Sequence, residues 1–125
     1  MIYNMEYYVV VAGSRDFCDY EYAKKCLDWI LKKRIDDGYN IVVISGHARG
    51  ADMIGERWAE ESGWAVSSHP AEWDKYGKRA GFIRNCEMVD CCDGVVAFWN
   101  GKSKGTKHTI DYAGKQGKPC IIVNI

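Results

Sequence analysis

Apolar residues in this chain gather into short, nearly unbroken runs, separated by longer stretches where they recur every three or four positions. The runs are YYVVVA (7–12), NIVVIS (40–45), GVVAFW (94–99) and PCIIVNI (119–125), with a weaker one, WAVSSH, at 64–69. Continuous runs, unlike alternating ones, are what strands buried on both faces look like. After the first run, Ala23, Cys26, Leu27, Ile30 and Leu31 form a stripe at i, i+3, i+4, i+7 and i+8, with Lys24, Lys25, Asp28, Lys32 and Lys33 off it. That spacing predicts an amphipathic helix. Asp19 suits its N-cap and Gly38 its stop. Further helices are expected over 51–62 (Ile54, Trp58 and Ala59 inward), 81–92 (Phe82, Cys86 and Val89 inward, Ile83 beside them) and 105–116.

Strand and helix alternating to five strands imply an α/β fold. The expectation is a doubly wound five-stranded parallel sheet in the order 3-2-1-4-5, with helices on both faces and one domain over 1–125. The 125 residues are 47% hydrophobic and 27% charged, which is globular composition for one core. Seventeen cations balance seventeen anions, which argues against a general nucleic-acid coat and leaves room for a local basic cleft. No apolar run approaches the roughly 18 residues of a membrane span, and the start of the chain lacks a basic region and a small-residue cleavage site. The expectation is a soluble, cytoplasmic protein with no membrane partner.

Six cysteines (18, 26, 86, 91, 92 and 120) form no CxxC pair, and several fall where an element turns inward, so they read as buried free thiols. Together with His47, His69 and His108 they show no zinc-ligand spacing. No metal and no cofactor is expected.

In a doubly wound sheet the ligand crevice lies beyond the carboxyl ends of the strands. Four segments reach that edge: AGSRDF (12–17), SGHARGAD (45–52), HPAEWDKYGKRAG (69–81) and NGKSKGTKH (100–108). Each holds glycine and a cation, and three lead toward a helix start, where backbone N–H groups and the helix dipole favour an anion. Singly the motifs are weak. GSRDFC has Arg15 where GxGxxG needs its second glycine, and GHARGAD lacks the Gly-Lys-Ser/Thr of a P-loop. Arg49 between Gly46 and Gly50 is the anion-holding candidate. Asp52, second in its helix, favours the dipole and is placed to orient Arg49. Asp52 and Glu72 are the candidate catalytic carboxylates, with Asp16 on the same edge. Ser14, Ser45 and Ser103 suit phosphate oxygens, but no Ser–His–acid spacing marks a nucleophile. His47 reads as an exposed loop histidine. For Trp73 and Tyr76 two readings stand: pocket wall or base platform, and core packing.

The ordered set GSRDF, SGHARGAD, PAEWDKYGKRAGFIRN, Met88, CDGVVAFWNGKSKGT and GKPCIIV resembles small SLOG-superfamily proteins of the YspA-like group, over residues 8–124. The resemblance implies a Rossmann-like fold that binds nucleotides or nucleotide-derived ligands, ADP-ribose-type signals among them. Its relatives include LOG-type phosphoribohydrolases, which release the base from a nucleoside monophosphate, and DNA-processing proteins. It implies ligand contacts at Gly13, Ser14 and Arg15, at Gly46, Arg49, Gly50 and Asp52, at Arg84 and Asn85, and at Ser103, Gly105 and Thr106. Arg84 takes the part of a second phosphate clamp and Asn85 a contact near the ribose. Two departures stand out: Gly81-Phe82 replaces the usual Gly-Pro, and PGGxGTxxE is unmet, with Thr109 in place of its glutamate.

The first functional reading is a module that binds a nucleotide-type small molecule for sensing or sequestration. The alternative is an N-glycosidase acting on nucleoside monophosphates; a single-stranded DNA binder ranks third. Five tryptophans and eight tyrosines exceed what a small core hides, so a homodimer or larger homo-oligomer is expected.

Overall fold

Five strands, β1 (Glu6–Gly13), β2 (Asn40–Ser45), β3 (Ala65–Ser68), β4 (Gly94–Trp99) and β5 (Cys120–Asn124), form one sheet in the order β3-β2-β1-β4-β5. Every neighbouring pair is parallel, as the expected fold requires. The fold comes from a computed structural model that describes residues 5–125; the part of the leader reading that rests on residues 1–4 lies outside them.

The pleat of β1 divides the core. Val9 and Val11 face α1 (Tyr20–Ile30) and α3 (Ala51–Ser62), where Leu27, Ile54 and the fully buried Trp58 pack. Val10 and Ala12 face α5 (Ala80–Asp90) and α6 (Lys104–Lys115), with Met88, Val89 and Ala113. Helices therefore cover both faces, and each burial removes apolar side chains from water at roughly 25 cal/mol per Å². Asp19 caps α1 as expected, its carboxylate accepting from the Tyr22 N–H at 3.2 Å.

Several boundaries differ from expectation. The first helix breaks at Leu31 and a short α2 (Lys32–Asp36) follows, so Gly38, at φ 91°, turns the chain after α2 and not after α1. A one-turn α4 (Trp73–Tyr76) and a 3-10 turn (Gly77–Arg79) precede α5. The inward stripe of α5 is Asn85, Met88, Val89 and the following Cys92, which displaces Phe82 to the surface at 48% exposure. β5 is less buried than its apolar run predicts. It has a strand neighbour on one side only, and Ile121 and Ile122 stay more than 40% exposed. The six thiols are free, yet only Cys92 is fully buried, and Cys18 and Cys91 are exposed. Among the described residues no helix is long and apolar enough to cross a membrane.

Candidate functional site

The carboxyl edge of the sheet opens into a cleft of about 450 Å³ between the loop after β1, the starts of α3 and α6 and the middle of α5. Ten of the residues expected to bind ligand or catalyse line it. The first loop supplies Gly13, Ser14 and Arg15, and the second supplies Arg49 and Asp52. Helix α5 adds Arg84 and Asn85; the last loop and α6 add Ser103, Gly105 and Thr106.

Gly46 and Gly50 do not line the cleft; they make it possible. Gly50 sits at φ 81°, and a Cβ there would stand 2.6 Å from the Arg15 backbone. The first two loops cross at that point, in a conformation close to glycine-only. A Cβ on Gly46 would lie 2.5 Å from Arg84 Nη1 and 2.8 Å from Asp52 Oδ2. The missing side chain is what lets Arg84 reach in and donate Nη1 to the Gly46 carbonyl at 2.6 Å.

Two ionisable groups then face each other behind Gly46, near enough to feel each other's field. Asp52 is 8% exposed and accepts from the Ala48 N–H at 3.2 Å. Burial pushes its carboxyl up to about 6, against the pull of the Ala48 bond and of Arg84 and Arg15; Glu56 pushes the same way as burial. Arg84 is held below its ordinary range, first by burial, with Asp52 opposing. Its Nε donates to Asn85 Oδ1 at 3.0 Å, and Asn85, 7% exposed, extends its amide to the Gly105 carbonyl at 3.5 Å. Asp52 is thus engaged with the Ala48 backbone and the field of Arg84. It does not orient Arg49, which projects 76% exposed and pairs loosely with Asp16 at 3.8 Å.

Ser14 ties the edge together through its backbone. Its N–H donates to the Phe98 carbonyl at 3.0 Å, and its carbonyl accepts from Ala51 at the start of α3 at 3.3 Å. Its hydroxyl, in a side chain 3% exposed, is buried with no hydrogen-bond partner. An unsatisfied buried hydroxyl costs about 1–3 kcal/mol, which sets Ser14 apart from the other polar side chains of this edge. The α3 terminus matches: Gly50 provides no side-chain cap.

At the α6 terminus the hydroxyls are satisfied from within, while His108 Nδ1, further along the helix, is buried without a partner. Ser103 caps the Thr106 N–H at 3.3 Å and its Oγ lies 2.9 Å from Thr106 Oγ1. Thr109 donates to the Gly105 carbonyl at 3.3 Å. Asn100, passed over in the sequence, accepts from the Lys102 and Ser103 N–H groups at 2.8 and 2.9 Å and shapes the loop; its signal was the Asn-Gly turn pair. Glu72, on exposed ground at the start of α4 and 3.9 Å from Lys75, is not part of the cleft.

Glu56 was also missed. One turn after Asp52 on α3, it accepts from Ser45 Oγ at 2.7 Å and lies 2.8 Å from His47 Nδ1. The His47 N–H donates to Ser45 Oγ at 3.0 Å, which holds His47 at φ 57°. That left-handed backbone is uncommon outside glycine; the network sets the loop that presents Ala48 to Asp52. The i, i+4 spacing of Asp52 and Glu56 was the available signal.

Residues 7–76 match the YspA, cpYpsA-related SLOG family. The gene 61 protein of Mycobacterium phage D29 is 45% identical over 119 residues, covering 90% of this chain and 93% of that protein. Among solved structures, DNA processing protein A of Streptococcus pneumoniae superposes with a TM-score of 0.71 at 18% identity, over 94% of this chain and 50% of its own. This chain therefore spans half the length of that protein. TM1055 follows with a TM-score of 0.65 at 20% identity, over 93% of this chain and 72% of its own. DNA processing protein A of Helicobacter pylori, whose structure concerns its single-stranded DNA binding mode, has a TM-score of 0.59 at 18% identity, over 94% of this chain and 65% of its own. At these identities the structural likenesses speak to the fold alone. With more than half the chain matched, and a relative this similar over nearly its whole length, the protein belongs to the YspA, cpYpsA-related SLOG family.

Proposed function

We propose that the cleft captures a nucleotide or nucleotide-derived ligand by its phosphate, for sensing or sequestration. The observation that carries this is the Ser14 hydroxyl, buried and unpartnered beside Arg15, Arg84 and the uncapped start of α3. A phosphate oxygen accepts from that hydroxyl and from the arginines, and the dipole of a 12-residue helix adds to the attraction. Calorimetric titration with adenosine monophosphate and ADP-ribose, alongside native mass spectrometry of the purified protein, tests it. Absence of binding by any nucleotide at millimolar concentration overturns it.

Asp52 favours a second reading, hydrolysis of the N-glycosidic bond of a nucleoside monophosphate. A carboxyl raised to about 6 inside the cleft is suited to donating a proton to a departing base near neutral pH. Thr109 supplies no carboxylate, and its hydroxyl is engaged with Gly105, so the binding reading ranks first. Release of free adenine that stops in Asp52→Asn decides for the enzyme. The H. pylori protein binds single-stranded DNA; balanced charge supports a small ligand for this chain. We place the protein in the cytoplasm, and the exposure of Trp29, at 80%, supports self-association.

A further inference from the structure

The walls of the cleft carry more positive charge than one phosphate group engages. Six ionisable side chains line it: Arg15, Arg49, Arg84 and Lys102 against Asp16 and Asp52. The whole chain has seventeen charges of each sign, so this excess is local. Arg15 and Arg84 form an inner pair, since both act on Asp52 and Arg15 also depresses Arg84. Arg49 and Lys102 form an outer pair. They stand on the loops that enter α3 and α6, the two helix starts that bound the cleft, and both are exposed.

Neither outer cation is neutralised by the protein. Arg49 reaches only Asp16, at 3.8 Å, in a pair 76% and 91% exposed, and such a contact contributes little. Among the described residues Lys102 has no carboxylate within 4.0 Å. Its backbone N–H donates to Asn100 Oδ1 at 2.8 Å, which fixes the loop and leaves the ammonium free. Cations gathered around a concave surface repel one another and focus positive potential into it. One phosphate at the inner pair leaves the outer pair unmatched.

We propose that the cleft takes a ligand with two phosphate groups, the first held at Ser14, Arg15 and Arg84 and the second at the mouth by Arg49 and Lys102. The proposal rests on the phosphate-binding reading and adds that a nucleoside monophosphate fills only part of the site. The second group has two chemical sources: the pyrophosphate of a nucleoside diphosphate, or the phosphodiester of a dinucleotide that also carries a 5′-phosphate.

The test is calorimetric titration, at one fixed ionic strength, with adenosine monophosphate, adenosine diphosphate and a 5′-phosphorylated adenosine dinucleotide. Wild type is expected to bind at least one of the two-phosphate ligands about tenfold or more tightly than the monophosphate, and the preferred one identifies the source. The double variant Arg49→Ala/Lys102→Ala then loses that preference while its affinity for the monophosphate hardly changes, and each single variant loses part of it. Lys115→Ala, at the far end of α6, keeps the preference, which separates the outer pair from general attraction by net charge. The second phosphate site alone is overturned if wild type binds all three ligands equally, if the preference survives the double variant, or if Lys115→Ala loses it as fully. Failure of wild type to bind any of the three overturns the phosphate reading, and the second site with it.

Discussion

Helices α3 and α6 both start at the cleft, and they treat their exposed N–H groups in opposite ways. At α6, Ser103 caps Thr106, the two hydroxyls meet, and Thr109 bonds back to Gly105. At α3, Gly50 brings no cap, Ser14 keeps an idle hydroxyl, and Asp52 is buried with a raised pKa. A terminus that satisfies itself contributes to folding and has little left for a ligand. One with no side-chain cap, an unmet hydroxyl beside it and a desolvated carboxylate is less stable than it could be, and that deficit is available to binding. Under the proposed function, the contrast favours α3 as the end that receives the anion and leaves α6 to wall the cleft.

The largest effect expected to divide the two ends is at their glycines. Gly50→Ala forces a side chain into the Arg15 backbone at positive φ and should cost about 3 kcal/mol or more of stability. Gly105→Ala meets nothing within 4 Å and gains up to about 1 kcal/mol from helix propensity. Urea denaturation of both variants checks this; equal losses erase the distinction.

Asp52→Asn comes next. Because the folded carboxyl titrates near 6, above its usual 3.8, the folded state holds the extra proton between those values. Its contribution is fully present below about pH 4 and is lost as pH rises toward 6. Above that, the folded protein carries a buried charge that asparagine avoids, while still accepting from Ala48. The variant should be stabilised by up to about 3 kcal/mol at pH 8 and hardly at pH 4. Denaturation at the two pH values reads the difference directly, and a gain independent of pH contradicts the assignment.

Removal of the arginines should rank by burial. Arg84→Ala deletes a half-buried donor anchored on Gly46 and should weaken nucleotide binding by about 10- to 150-fold. Arg49→Ala deletes a 76% exposed side chain and should weaken binding by less than about tenfold, with thermal stability unchanged. Titration calorimetry giving the reverse order would shift the clamp to the second loop.

The smallest effects have opposite signs. Ser14→Ala removes an unpartnered hydroxyl, so the free protein should gain about 1 kcal/mol while ligand affinity falls. Ser103→Ala removes a working cap and should lose about 1 kcal/mol with little change in affinity. Paired melting curves with and without ADP-ribose separate the two.

Local chemistry made much of this molecule legible in advance. Unbroken apolar runs bounded by turn residues favour strands covered on both sides, which holds for β1, β2 and β4 and not for the edge strand β5, and the helical stripes between them leave parallel crossovers as the economical arrangement. The order β3-β2-β1-β4-β5 is the one expected of a doubly wound sheet of this kind, and it fixes the edge where glycines and cations collect. What periodicity does not carry is which groups end up without water. Arg49 and Arg84 are alike as residues; one projects into solvent because its loop ends at the surface, the other is drawn in because Gly46 has no Cβ. Phe82 left the core because Asn85, Met88 and Val89 fixed the rotation of α5 about its axis. Glu72 and Asp52 carry the same group, and only packing put one in water and the other beside Arg84. Strand and helix are written in near-neighbour spacing, whereas desolvation, and with it the raised pKa of Asp52 and the idle hydroxyl of Ser14, is decided by residues far apart in the chain that meet only when the sheet closes its helices over them.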